Sequence, residues 1–154
     1  MRTLALGLAF SALLCGIADA QQRNLAPPQS RPDARQREAL AQAAAPLLQR
    51  GYELPGQPGA GITGALSAGA SWTHSIVFPP NRRVALVAVC DSNCTDLGMR
   101  LADPDGRLVA RDTTSGARAV VEFTVSAPEF TLTIEMASCR RNPCRWAFTS
   151  LSRP

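Results

Sequence analysis

An antiparallel β-sandwich or jelly roll of seven or eight short strands, preceded by one α-helix, is the mainly-β fold this sequence predicts. Three observations predict it. From about Gly64 to the C-terminus apolar residues recur with a period of two, the signature of strands with one buried and one wet face. Turn formers such as Asp103-Pro104-Asp105-Gly106 and Thr113-Thr114-Ser115-Gly116 punctuate that region. Residues 33–50 alone carry helical spacing, and a Pro/Gly stretch sets them apart from the alternating region downstream.

Taken in order, residues 1–20 read as a signal peptide. Met1-Arg2 is a positive n-region, Leu4 to Ala18 is apolar and uncharged, and Ala18-Asp19-Ala20 is a small-x-small cleavage site before Gln21. The apolar run is too short for a membrane span, and no later run is long enough. Cleavage after Ala20 removes Cys15 and delivers the chain to the periplasm or the medium. What remains has the length of one domain. Residues 21–32, with Pro27-Pro28 and Pro32, are too polar and proline-rich to fold alone and read as a disordered arm.

The helix is expected from Asp33. Its carboxylate can cap the first turn with Gln36 three residues on, Leu40, Ala43, Ala44, Leu47 and Leu48 share one face, and Gly51 offers a stop. Pro46 falls inside this pattern and predicts a kink or restart. Residues 51–63 read as a linker, and the sandwich as 64–154. Its strands are expected at Trp72–Phe78, Arg83–Cys90, Met99–Ala102, Leu108–Arg111, Ala119–Thr124, Phe130–Met136 and Arg145–Ser150. Arg83–Cys90 is almost wholly apolar, which suits a central strand covered on both faces.

Four cysteines come after the leader, as Cys90-Asp-Ser-Asn-Cys94 and Cys139-Arg-Arg-Asn-Pro-Cys144. In an exported chain an even set at short spacing favours bridges over zinc, because oxidation competes for the thiols. Of the three connectivities, local pairing of Cys90 with Cys94 and of Cys139 with Cys144 is favoured. All sixteen cationic residues are arginine and the formal net charge is +4. The arginines are scattered, with no basic stripe interleaved with aromatics, which speaks against nucleic-acid binding.

Ser71-Trp72-Thr73, the run Val87 to Leu97 with Cys90 and Cys94, and Leu101-Ala102-Asp103-Pro104-Asp105-Gly106 with Val109 and Asp112 together resemble the bacterial pre-peptidase C-terminal β-sandwich domains. Ile134 to Cys139 and Asn142-Pro143-Cys144 resemble a cysteine-containing branch of that group, and the likeness spans about residues 64 to 152. The resemblance implies a secreted, jelly-roll-like, non-catalytic module. Such domains often read Asp-Leu-Asp-Leu where this chain has Asp96-Leu97-Gly98-Met99, so a metal role for the second aspartate does not carry over.

Few residues suggest chemistry. Gly59-Ala60-Gly61-Ile62-Thr63-Gly64 matches a dinucleotide fingerprint as a string but comes after no strand and opens no helix, so it reads as linker. His74 is the one histidine, which excludes two-histidine zinc motifs. A small hydrolase would need His74 with Ser71 or Ser75 and an aspartate. Strand geometry puts Ser75 and His74 on opposite faces, against that alternative. No cofactor is expected except, as a weaker candidate, calcium. Asp91, Asp96, Asp103, Asp105 and Asp112 would form its site if the loops carrying them met at one end of the sandwich. Turn propensity explains the same aspartates without a ligand. The favoured function is a secreted non-catalytic module of the bacterial envelope or medium, one that binds a protein or glycan surface or serves as an accessory or structural part.

Overall fold

The computed structural model describes residues 31–55 and 61–153, so the leader and most of the arm lie outside the described residues. Helix α1 (Ala34–Gln49) is succeeded by eight strands: β1 (Ile62–Leu66), β2 (Ser71–Val77), β3 (Arg83–Cys90), β4 (Cys94–Ala102), β5 (Leu108–Arg111), β6 (Arg118–Thr124), β7 (Glu129–Cys139) and β8 (Cys144–Arg153). They form two four-stranded sheets, β1-β8-β3-β6 (sheet A) and β2-β7-β4-β5 (sheet B), with every pair antiparallel. This strand order is that of a jelly roll. The chain changes sheet at every connection except the β4–β5 hairpin.

The inward faces of the two sheets make the main core. Trp72, Ile134, Met136, Leu132 and Phe130 from sheet B meet Leu86, Val84, Phe123, Trp146 and Phe148 from sheet A. Trp72 lies 4.8 Å from Trp146 between ring centroids, and Phe123 meets Phe130 edge-on at 5.2 Å, in the tilted arrangements that aromatic quadrupoles favour. The Trp146 indole N–H is buried without a hydrogen-bond partner among the described residues.

β3 is buried on both faces, as its composition predicts, because α1 covers the outside of sheet A. Leu40, Ala43, Ala44 and Leu47 pack on Ala85, Val87, Val89, Ala147 and Leu151. Burying each leucine is worth about 1.5–3 kcal/mol, so this face, not helix propensity, holds α1 in place. Leu48, expected on that face, is 41% exposed. One residue on from Leu47 it is rotated by about 100°, and the narrow stripe on sheet A does not reach it.

Local signals set the helix ends. Asp33 accepts a hydrogen bond from Gln36 N–H (2.9 Å), and the Gln36 side chain accepts from Asp33 N–H (3.0 Å), a complete capping box. The Gln36 amide then donates to the Thr63 hydroxyl at 2.7 Å, tying the helix start to β1. At the other end Gly51 has φ +81°, Gly51 N–H donates to Leu48 C=O, and Tyr52 N–H to Leu47 C=O. This is a Schellman stop, with Tyr52 and Leu47 as its hydrophobic pair. Pro46 does not interrupt the helix. It is exposed, so the carbonyl it leaves without a helical donor faces water.

Tyr52 O–H donates to Glu122 at 2.8 Å, and Arg50 pairs with the same carboxylate at 2.6 Å. Burial alone would raise the Glu122 carboxyl, but hydrogen bonds from Arg50 and Tyr52 overcome it and hold the group below its usual range. This clamp therefore contributes above the ordinary glutamate range and fades as pH falls through the lowered value. Both charges are substantially exposed, so its worth is that of a surface pair.

β7 and β8 each run three residues past their expected ends, and three further boundaries differ more instructively from the sequence reading. β1 occupies 62–66, across the expected start of the sandwich at 64, and takes in the last three residues of the glycine string read as linker. Ile62-Thr63-Gly64-Ala65-Leu66 carries no clear alternation, and it is pairing with β8 that makes it a strand. Gly61 is required beside it, because a Cβ there would lie 2.7 Å from the Phe148 carbonyl oxygen. Gly59 and Ala60 lie outside the described residues. β4 begins at Cys94 rather than Met99, since Thr95 to Gly98 looks like a turn but pairs with β7 through register shifts on either side of Asp96. Residues 51–55 are not free linker throughout, for Tyr52 is buried and Glu53 bridges Ser152.

Candidate functional site

Two regions compete as functional surface: the end of the sandwich that carries the cysteines, and the outer face of sheet B.

The two bridges are local, Cys90 to Cys94 and Cys139 to Cys144, with Cα separations of 5.9 and 6.1 Å. Cys90 ends β3 and Cys144 begins β8 in sheet A, whereas Cys94 begins β4 and Cys139 ends β7 in sheet B. Each bridge therefore clasps one sheet to the other where the chain crosses between them. Cys94 and Cys139 are register partners, so the clasps sit side by side. Closing loops this short constrains the unfolded chain by about 2 kcal/mol each in the entropic account. The bridges fit an oxidising compartment.

The five aspartates do not converge. Asp91 accepts from Asn93 N–H and Arg145 N–H, both at 3.0 Å. Asp96 accepts from Gly116 N–H at 3.1 Å, and Asp112 from the Thr114 hydroxyl at 2.9 Å. Asp91 and Asp96 lie at the cysteine end, whereas Asp112 stands opposite Met99, partway along β4. Asp103 and Asp105 lie beyond the other terminus of β4, Asp103 seven residues from Asp96, or roughly 23 Å at the strand rise. Asp103 accepts from Asp105 N–H and Arg107 N–H, an Asx turn. The expectation that loop 91–96 and turn 103–105 share one end is corrected by topology, because they flank a single strand. Among the described residues no group of three or more His, Cys, Asp or Glu could hold a metal ion.

The hydrolase constellation does not assemble either. His74 lies on the inward side of β2, stacked on Trp72 at 5.1 Å. Ser71 and Ser75 point to the opposite face, where the Ser75 hydroxyl bonds Glu129.

The outer face of sheet B is the better candidate. α1 seals the outside of sheet A, while among the described residues nothing packs over the outside of sheet B. Register places Thr73, Thr133, Arg100 and Arg111 in one row across all four strands, with Ser75, Thr131, Ala102 and Leu108 in the next. A groove of about 520 Å³ runs over these rows. Arg100 is tied to Glu135 at 2.9 Å, and the Thr73 and Thr133 hydroxyls lie 3.4 Å apart. Such a face offers hydroxyl donors and acceptors, a guanidinium and a little aliphatic surface, which suits recognition of a polar ligand and supplies no nucleophile–base pair. Alternation already marks Thr131, Thr133 and Glu135, and Thr73 with Ser75, as wet faces. That β2, β7, β4 and β5 adjoin in one sheet is not visible in any local pattern, and so Arg100 and Arg111 escape sequence reasoning.

No protein-family model matches the chain, and no curated protein does. Among solved structures, the pre-peptidase C-terminal domain of a Bacillus anthracis collagenase is similar at 10% identity and TM-score 0.50, over 59% of this chain and 87% of that one. PliG, a periplasmic inhibitor of g-type lysozyme from Aeromonas hydrophila, is 13% identical over 59% of this chain and 84% of its own, at TM-score 0.40. The P-domain of a Penaeus vannamei nodavirus is 10% identical over 58% and 93%, at TM-score 0.32. The first likeness shows a pre-peptidase C-terminal-like sandwich fold, and at these identities nothing beyond fold is carried.

Proposed function

We propose that this chain is an exported, non-catalytic binding module of the bacterial envelope or medium, released by cleavage after Ala20, that engages its partner through the outer face of sheet B. We propose further that it stands with the cysteine-containing branch that its sequence resembles. The observation that carries the reading is the asymmetry of the sandwich: one outer face is sealed by α1, and the other is open, grooved and polar. A rigid sheet presents its side chains at fixed spacing, which lowers the ordering cost of binding. The two clasps support an oxidising destination. Among the described residues no helix is long and apolar enough to cross a membrane.

The test is to capture partners from the native periplasm or medium and map the contact by hydrogen exchange. Slowed exchange in β4, β5 and β7 is expected. Protection confined to the cysteine-end loops, or to α1, would move the binding surface and overturn the assignment to sheet B.

A further inference from the structure

Resting on the reading of sheet B as the binding face, we infer that the groove takes an acidic protein surface, one that presents a carboxylate side chain beside an aliphatic one, with Arg111 as the anchor.

Arg100 and Arg111 are register partners on β4 and β5 and point to the same outer face. Like charges directly opposite one another destabilise a sheet unless something offsets them. Glu135, opposite Gly98 on β7, offsets Arg100 through its 2.9 Å ion pair. The other acid on this face, Glu129, is at the far end of β7 and bonds Ser75. Arg111 is thus left without an acidic partner among the described residues, exposed on the groove wall. Of the two arginines that line the groove, Arg100 is met by a carboxylate and Arg111 is the one able to take a carboxylate from a ligand.

The surroundings define the chemistry of a ligand for Arg111. A guanidinium fork matches a carboxylate with two parallel hydrogen bonds. Thr73 and Thr131 border the groove with hydroxyls able to bond a peptide backbone or side chain. Leu108, 61% exposed, lies in the neighbouring row from Arg111 on the same wall. Leu108 gives the wall a small apolar surface beside Arg111, and arginine is a residue type enriched in protein interfaces. Among the described residues the face carries no aromatic ring on which a sugar or a base could stack. These features together favour an acidic polypeptide over a glycan or nucleic acid.

The probe is poly-L-glutamate, titrated into the folded protein by calorimetry and by ¹⁵N chemical shifts, with polygalacturonate as a carboxylate polymer lacking a peptide backbone. Poly-L-glutamate is expected to bind, to weaken with added salt, and to shift amides of β4, β5 and β7. Arg111→Gln should weaken it about two- to fivefold with an unchanged melting temperature, the size expected of one exposed ion pair. Arg140→Gln with Arg141→Gln, on the exposed cysteine-end loop, should leave it intact. Leu108→Ser is a second probe of the same wall and should weaken binding severalfold. The inference is overturned by no binding, by tighter binding of polygalacturonate, or by loss in the Arg140/Arg141 variant with none in Arg111→Gln. If exchange mapping protects sheet B with the natural partner while poly-L-glutamate fails to bind there, the binding face stands and the carboxylate chemistry falls.

Discussion

Asp91 works with both carboxylate oxygens, one turning the loop back through Asn93 N–H and the other fastening it to the start of β8 through Arg145 N–H. Truncation strands two backbone donors that a charged acceptor now satisfies. We predict that Asp91→Ala costs about 1–3 kcal/mol in urea unfolding, equally in calcium and in chelator. A melting temperature of the parent protein that rises with calcium, and no longer does so in the variant, would make Asp91 a ligand instead. At this scale the sequence is most legible where the device is local. Asp103 serving Asp105 and Arg107 within one turn can be read from residue type and spacing alone. Asp96 reaching Gly116, or Arg100 meeting Glu135, joins residues far apart in the chain, and no neighbour in sequence hints at the partner.

Among the elements, α1 is the one whose limits and inner face are written in adjacent residues: the Asp33–Gln36 box, the leucine stripe, the Gly51 stop. The stripe is legible to within a residue, and Leu48 marks where helical geometry takes over from composition. A pair of variants separates burial from mere membership of the apolar run. We predict that Leu47→Asp, which puts a charge against Val87 and Leu151, lowers stability by several kcal/mol, whereas Leu48→Asp stays within about 0.5 kcal/mol of the parent. Equal losses would show that α1 docks on a broader face than the Leu40–Leu47 stripe. β1 is illegible for the opposite reason. Ile62 to Leu66 has too little alternation or propensity to declare itself, and its strand character is conferred by β8.

For the molecule as a whole, period and turn signals foretell a sandwich but not which strands adjoin, since the order β1-β8-β3-β6 and β2-β7-β4-β5 is set by pairings across most of the chain. The open groove is a property of that order and is visible only once the order is known. The order also has a consequence in time. β1 has only β8 as a sheet neighbour, β2 has only β7, and the seat of α1 is shared between β3 and β8. Elements made first must wait for those made last, and such distant pairings close slowly. We predict that a chain ending at Pro143 is digested by protease along its full length while the complete chain resists; a protected core in the shortened chain would refute this. Threaded N-terminus first through any narrow channel, the early strands would emerge without their partners and would lock only when the ten residues of β8 had come through.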